Sequence, residues 1–368
     1  MPIANPNFAS YTAPFIHDYL NRCRVNSIPS FRLIDVGSRG GIRHEWHPIQ
    51  PYSQFVGFDA DAAECERLNT LHPNIETHPV ALAGKSGKFP FYITKSDHCY
   101  GFRQGNDDFW SRFPNSINNQ LKEVWELEAT SFDEWVSQTQ YQHIDFVKLD
   151  TEGTEADILS GMSNSLSSKK ILGVLTELWF EGVTKLGQGY GFTAQNDLLQ
   201  SFGFQLFDIE VSRYPRTSMP VGKLSLQKNT NGSNDISVTA PTLRKHYGQV
   251  LTGDILYFRD PILDFKNDPK NAEKFWDDES ILRLIVLLEL YNYHDVALEI
   301  LSFFKDKFPR ILKECLVSAL LKQSTEQGDI NILYSDYWRV SKDLFVATGG
   351  CNSPDIVADL NIEPAKFY

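Results

Sequence analysis

The sequence has little of what stabilises small secreted proteins or binds metals through sulfur. Its 368 residues include five cysteines, none of them in a CxxC pair: Cys23, Cys65, Cys99, Cys315 and Cys351. An odd and sparse set of cysteines predicts neither a disulfide framework nor a zinc ribbon. A reducing cytosol is therefore the expected compartment.

Long hydrophobic runs are also missing. The best apolar stretch, at 284–290, already contains Glu289 and is far shorter than the roughly 20 residues that a membrane span needs. The first 30 residues carry Asp18, Arg22 and Arg24 and lack the unbroken apolar stretch of a signal peptide. We therefore expect a soluble, cytoplasmic protein without a membrane span.

Positive charge is in deficit, because 35 Lys and Arg residues face 47 Asp and Glu residues, a formal net charge of −12 at pH 7. Proteins that bind nucleic-acid backbones normally show a basic excess, so no nucleic-acid partner is expected. The chain is otherwise an ordinary globular one, with 42% hydrophobic and 22% charged residues. Its length suggests two domains, or one large domain with an appendage.

The sequence does contain a series of short apolar runs that alternate with helical patterns. Strands are predicted at 31–36, 54–59, 74–82, 144–150, 171–180, 202–211 and 253–260, and helices at 61–71 and 154–161. Strands that are apolar on both faces and separated by helices indicate a parallel sheet, and hence a doubly wound α/β fold. A further short strand is predicted at 88–94, whereas the Ser-, Thr- and Asn-rich stretch 228–242 predicts a loop.

The chain changes character after residue 260. Helical periodicity at 279–308 and 311–323 predicts a small C-terminal α-helical appendage, which offers a surface for a homodimer. The expected domains are an N-terminal helical segment at 1–30, an α/β domain at 31–260 with an insertion at 213–249, and a helical region at 261–368.

A glycine-rich turn follows the first predicted strand. The segment DVGSRGG begins at Asp35 and matches neither the dinucleotide fingerprint nor the phosphate loop. Asp59, 24 residues further on, ends the next strand, where an acidic residue typically binds ribose hydroxyls. Alternatively, Asp59 or Asp61 caps the helix that follows. A single-nucleoside ligand fits this pattern better than NAD, and S-adenosylmethionine is the obvious candidate.

Charged residues surround the carboxyl end of the predicted strand 144–150, where open α/β sheets bind ligands. Asp150 and Glu152, two residues apart, are expected to form a polar site with Glu177 near the end of the next strand. Capping of the following helix accounts for Glu155. It does not account for Lys148 within the strand, because a buried charge is costly unless it is paired or functional.

The segments IDVGSRGG, FVGFDAD, VALAGKSGKFPFYI, TSFDEWV and above all IDFVKLDTEGTEADILSG resemble the FkbM-type methyltransferases. The resemblance covers about residues 31–211 and extends towards 260. It implies a Rossmann-like, seven-stranded class I methyltransferase sheet, with 204–211 and 253–258 as the antiparallel final pair. It also implies S-adenosylmethionine as cofactor and O-methylation of a hydroxyl, on a sugar or glycan or on a secondary metabolite.

The resemblance also assigns site residues. The cofactor is expected to contact Asp35, Gly37, Ser38, Arg39, Gly40, Gly41, Asp59, Ala60, Ala81, Leu82 and Asp150. The catalytic candidates are Asp150, Glu152, Lys148 and His98. Arg39 stands where many relatives have a small or amide residue, so it meets the cofactor carboxylate or points outward. A divalent cation on Asp150, Glu152 and Glu177 is chemically possible, but no ligand spacing demands it, and no metal site is assigned.

Two segments are candidates for the acceptor site. The first is the segment 97–120, whose aromatic residues are expected either to line the acceptor site or only to pack the segment against the domain: Phe102, Phe109, Trp110 and Phe113. The start of the 213–249 insertion is the second candidate: Arg213, Tyr214 and Arg216. Two other functions stay open, a nicotinamide-dependent oxidoreductase and a non-catalytic nucleoside-sensing or scaffold protein. The first of these needs a pyrophosphate loop that the glycine spacing does not supply.

Overall fold

The computed structural model describes residues 30–72, 75–114, 116–139, 141, 143–180, 191–218, 224–228, 234–238, 247–308 and 316–317. The chain divides into two compact units. The first, here the sheet unit, comprises residues 32–41 and 55–259, and the second, here the helical unit, comprises 1–31, 42–54 and 260–368. The helical segment predicted at 1–30 and the helix predicted at 311–323 fall almost entirely outside the described residues.

A seven-stranded sheet forms the centre of the sheet unit. Its strands are β1 (Phe31–Val36), β2 (Ser53–Phe58), β3 (Ile75–His78), β7 (Phe146–Leu149), β8 (Gly173–Trp179), β9 (Phe204–Tyr214) and β12 (Gln249–Arg259). The strand order is β3-β2-β1-β7-β8-β12-β9. Strands β7 and β8 pair in parallel with their neighbours on the β1 side, whereas β12 is antiparallel to both β8 and β9.

This strand order is that of a class I methyltransferase sheet, so the predicted fold class and the predicted antiparallel final pair are confirmed. The predicted strands of the sheet centre were right because these strands are buried on both faces, as the continuous apolar runs indicated. Every residue of β7, for example, is buried. The adjoining core includes Ile34, Phe58, Val147 and Ile255. The single strand predicted at 74–82 was wrong, because the chain forms two short strands there, Ile75–His78 and Ala81–Leu82, which join different sheets.

Two smaller sheets accompany the central one. A three-stranded sheet contains β4 (Ala81–Leu82), β5 (Gly87–Thr94) and β6 (Leu121–Thr130), and a hairpin pairs β10 (Leu224–Lys228) with β11 (Asn234–Val238). The loop prediction for 228–242 was therefore wrong over β11. Its polar composition suggested a loop, but residues 234–238 pair in register with the alternating segment at 224–228. Strand β6 was not predicted, because most of its side chains are exposed and it lacks an apolar run.

Short helices flank the strands of the sheet unit. They are α1 (Ala62–Leu71), α2 (Asp107–Trp110), α3 (Phe132–Ser137), α4 (Glu155–Ser160), α5 (Ser163–Ser167) and α6 (Phe192–Ser201). Side-chain caps explain where two of them begin. Asp61 accepts hydrogen bonds from the backbone at the start of α1, and Ser131 accepts one from Glu134 at the start of α3.

The helical unit contains α7 (Pro261–Asn267), α8 (Pro269–Ala272), α9 (Asp278–Leu290) and α10 (His294–Phe303). Residues 42–54 belong to it through a 3-10 segment, His44–Tyr52. There the buried Trp46 indole donates a hydrogen bond to the Tyr291 hydroxyl, 2.9 Å away. Among the described residues, no helix combines the length and apolar character needed to cross a membrane.

Candidate functional site

The glycine turn after β1 is held by backbone contacts that only glycine permits. The N–H groups of Gly37 and Ser38 both donate to the Phe58 carbonyl, at 2.9 and 3.0 Å. Gly37 has a φ of +80°, and a Cβ there would lie 1.8 Å from the Asp150 carbonyl oxygen. Gly40 has a φ of +90° and nothing within 4 Å of its hypothetical Cβ. The turn therefore presents open backbone that a ligand can approach closely.

Lys148 connects this turn to the neighbouring strand. Its Nζ lies 2.9 Å from Asp35 Oδ1 and 3.4 Å from Asp150 Oδ2, and it donates to the Gly37 carbonyl at 3.0 Å. The residue is 5% exposed. The ammonium thus offsets two carboxylates and fixes one carbonyl of the turn at once, which is a positioning role.

Of the two acidic residues after β2, Asp61 takes the helix-capping role, and the ribose role of Asp59 stays a prediction. Asp61 is the cap of α1, because its carboxylate accepts from the N–H groups of Ala63 and Glu64. Asp59 instead accepts from the Asp61 N–H at 2.8 Å, and burial raises its pKa. Arg39 lies 2.8 Å from Asp61 and 3.8 Å from Asp59, so it faces these carboxylates and does not point outward.

The remaining predicted contact residues lie in several different elements. Ala81 and Leu82 are buried in β4, where they pair with β6, and Ala60 follows Asp59 directly. Gly41 lies in the turn, where its N–H donates to the Ser38 carbonyl at 3.0 Å. The side chain of His98 falls outside the described residues, so its catalytic role stays a prediction.

Three carboxylates meet at the carboxyl ends of β7 and β8. One oxygen from each of Asp150, Glu152 and Glu177 lies within 4.8 Å of the others, and we call these residues the carboxylate trio. Burial and the neighbouring negative charges raise the pKa values of Glu152 and Glu177 well above the ordinary range. Glu152 also adopts a φ of +59°, a costly conformation for a side chain of this size that recurs at functional sites.

Glu155 organises the loop that carries the trio, which the sequence did not reveal. It is fully buried, and its Oε1 accepts from the N–H groups of Thr151 at 2.7 Å and Gly153 at 3.2 Å. Burial raises its pKa to about 7. Sequence reasoning gave this residue only a helix-capping role. The spacing of residues 152–155, E-G-T-E, was the available signal. A carboxylate that closely follows a glycine turn can accept hydrogen bonds from the backbone N–H groups of that turn.

Aromatic side chains gather next to the trio, and we call them the aromatic cluster: Phe109, Trp110, Phe113, Trp179 and Tyr214. Trp179 follows Glu177 by two residues in β8 and therefore projects from the same face of the sheet. Arg216 lies 4.3 Å from the centre of the Phe113 ring. The two predicted acceptor segments thus meet at one place. Phe102 is elsewhere, packed against Phe89 and Phe91.

Further carboxylates continue the negative charge along the sheet. Glu177 stands opposite Asp254 of β12, which stands opposite Glu210 of β9. Residues that pair directly across strands project from the same face. Acidic side chains therefore lie side by side on three neighbouring strands, β8, β12 and β9.

Comparison with known proteins agrees with this geometry. Residues 41–206 match the methyltransferase FkbM domain. Residues 41–206 are thus similar to an FkbM methyltransferase domain. The resemblance predicted from the sequence is confirmed over these residues.

The 2-O-methyltransferase NoeI of Sinorhizobium fredii is 21% identical to this chain over 155 residues, which cover 38% of this chain and 60% of NoeI. Among solved structures, the N-methyltransferase NodS from Bradyrhizobium japonicum, in complex with S-adenosyl-L-homocysteine, has a TM-score of 0.30 at 8% identity, covering 70% of this chain and 93% of NodS. A methyltransferase from Anabaena variabilis has a TM-score of 0.30 at 9% identity, covering 67% of this chain and 84% of its own.

Proposed function

We propose that the protein is an O-methyltransferase that moves the methyl group of S-adenosylmethionine to a hydroxyl of a sugar, a glycan or a secondary metabolite. The observation that carries this proposal is the position of the carboxylate trio beside the glycine turn. Asp150 belongs to the trio, and its backbone carbonyl lies against Gly37 of the turn. A proton-accepting group therefore lies where the domain's methyl donor is expected to bind.

The residues at the turn fit S-adenosylmethionine. The open space beside Gly40 leaves room for a ligand against the backbone. The buried hydroxyl of Ser38 has no hydrogen-bond partner among the described residues, so it is available to one. Asp59 ends β2, where a carboxylate can accept both ribose hydroxyls. Asp35 and Asp150 supply negative charge suited to a sulfonium.

The chain's own groups then have distinct tasks. S-adenosylmethionine, when bound, supplies an electrophilic methyl group on a positively charged sulfur. Lys148 keeps Asp35, Gly37 and Asp150 in fixed positions, which limits the freedom that the two reactants must lose. With the cofactor bound, an oxygen of Asp150 or Glu152 would accept the proton of the acceptor hydroxyl while the hydroxyl oxygen bonds to the methyl carbon. The cofactor would supply the leaving group, since its sulfur would keep the electron pair of the broken carbon–sulfur bond.

The aromatic cluster supports a sugar as the acceptor. Sugar rings present C–H faces that pack well on aromatic side chains, and Phe109 and Tyr214 lie at the partly buried margin of the cluster. Trp110 and Phe113 are themselves buried, and they pack edge-on against Phe109 and Tyr214 respectively. The similar protein NoeI is a 2-O-methyltransferase, which supports the same kind of chemistry.

Labelled methyl transfer tests the proposal. The full-length protein is incubated with S-adenosylmethionine that carries an isotopic methyl label, together with cell extracts and a panel of glycans, and the products are analysed by mass spectrometry. We expect a labelled methyl ether in the presence of the protein and its loss with Glu152→Gln. The matched control is Glu126→Gln on the exposed strand β6, which removes the same charge away from the trio.

Binding of S-adenosylmethionine without transfer to any acceptor would contradict the enzymatic proposal and favour the non-catalytic alternative. Equal products from the wild type and Glu152→Gln would show that Glu152 is not the base.

A further inference from the structure

We propose that the carboxylate trio binds one hard divalent cation, Mg²⁺ or Mn²⁺. This inference deepens the proposed function, since it concerns the same acceptor end of the site. Carboxylate oxygens are the ligands that such cations prefer. Three residues supply them here, because Asp150 and Glu152 follow β7 and Glu177 lies near the end of the neighbouring strand β8.

The spacing of the trio matches the geometry of such an ion. Oxygens bound to Mg²⁺ at about 2.1 Å lie about 3 Å apart when adjacent and about 4.2 Å apart when opposite. The three oxygens already lie within 4.8 Å of one another. Shifts of less than an ångström would bring them to bonding distance, so no rearrangement of the strands is required.

A second observation points to a missing partner at this place. Glu177 Oε2 is inaccessible to solvent and has no hydrogen-bond partner among the described residues. Glu155 Oε2 is likewise inaccessible and without a hydrogen-bond partner among the described residues, and its side chain is fully buried. The negative charge of Glu155 helps to raise the pKa of both Glu152 and Glu177. A buried carboxylate oxygen without a partner is costly. A cation at the trio would supply the partner that the described residues do not.

The described cationic side chains near this edge are engaged with other groups. Lys148 reaches Asp150 at 3.4 Å but contacts Asp35 and the Gly37 carbonyl more closely. Arg103 pairs with Asp157 at 2.5 Å, outside the trio. Lys148 therefore shares its charge between Asp35 and the trio, and a divalent ion would add positive charge at the three carboxylates.

A cation at the trio would also serve the proposed reaction. It would bind the acceptor hydroxyl and lower the pKa of that hydroxyl. Each carboxylate has two oxygens, so a residue that binds the ion through one oxygen keeps the other to accept the proton. The ligand and base roles are therefore compatible in Asp150 and Glu152.

Binding of Mn²⁺ to the full-length protein tests the inference without any methyl transfer. Electron paramagnetic resonance measures free Mn²⁺ directly, because the signal of the hydrated ion disappears on binding. We expect one site per chain, competition by Mg²⁺, and affinity at least about tenfold weaker in Glu177→Gln and in Glu152→Gln. Glu126→Gln should bind as the wild type does. Circular dichroism checks that each variant is folded.

The outcomes separate this inference from the proposed function. No saturable Mn²⁺ binding, or unchanged affinity in both folded trio variants, would overturn the cation site. S-adenosylmethionine binding is measured on the same samples by calorimetry. Its absence beside intact Mn²⁺ binding would count against the methyltransferase proposal alone.

Discussion

Replacing Lys148 with methionine is the most informative perturbation of the site. The substitution keeps the length and the apolar stem of the side chain but removes the ammonium. That ammonium lies 2.9 Å from Asp35, 3.4 Å from Asp150 and 3.0 Å from the Gly37 carbonyl. The Asp35 side chain is only 10% exposed, so water cannot take over the lost interaction.

The expected loss of stability is large. Removing one partner of a buried ion pair leaves an uncompensated charge and typically costs about 3–5 kcal/mol. Urea denaturation of the full-length protein measures this change. Lys88→Met is the matched control, because Lys88 pairs with Glu128 at 3.5 Å on the surface, with side chains 68% and 80% exposed. We expect it to cost less than about 1 kcal/mol.

A double variant shows whether the cost comes from the pair. If Asp35 is the group left uncompensated, then Asp35→Asn should recover part of the stability lost in Lys148→Met, with a coupling of about 1–3 kcal/mol. S-adenosylmethionine affinity should fall in Lys148→Met, because the turn loses its fixed carbonyl. Strictly additive effects, or a cost no greater than that of Lys88→Met, would refute the positioning role of Lys148.

Two further predictions concern backbone space and pH. Gly37→Ala should abolish S-adenosylmethionine binding in calorimetry, because its Cβ would meet the Asp150 carbonyl at 1.8 Å. The control Gly191→Ala lies outside the turn, has a φ of −64° and places its Cβ 3.6 Å from the nearest atom, so it should leave the affinity unchanged. Equal losses in both would contradict this steric reasoning. Burial raises the pKa of Glu289 to about 8, so the folded state holds this proton more tightly than the unfolded chain. The free energy of unfolding should therefore fall between about pH 4.5 and 8, by up to about 1.4 kcal/mol per pH unit. Glu289→Gln should flatten that dependence, and an unchanged pH profile would show that the residue is not the cause.

The central sheet could be predicted because its strands are short, apolar on both faces and separated by helical patterns. Where that signal weakens, the prediction fails. Strand β6 exposes most of its side chains, and β11 lies in a polar stretch that suggested a loop. Both depend on pairing with another segment, β5 and β10 respectively, and such pairing is a tertiary property that local composition does not carry.

The site shows the same division between local and long-range information. Residues at strand ends could be placed together from topology alone, which is why Asp150, Glu152 and Glu177 were expected at one site. The contacts of Lys148 and Arg39 could not. The Lys148 contact with Asp35 depends on the register of β1 against β7, and the Arg39 contacts depend on how the loops after β1 and β2 face each other. Arg39 illustrates this, because its nearest carboxylate is Asp61, 22 residues away in the chain.

Calorimetric titration of the full-length protein with S-adenosylmethionine tests the central claim most directly, because every assigned role depends on that ligand at the glycine turn. We expect one molecule to bind per chain, and Asp59→Ala to weaken or abolish binding while the protein stays folded. NAD should give no comparable signal. Absence of S-adenosylmethionine binding, or binding that Asp59→Ala leaves unchanged, would contradict the account.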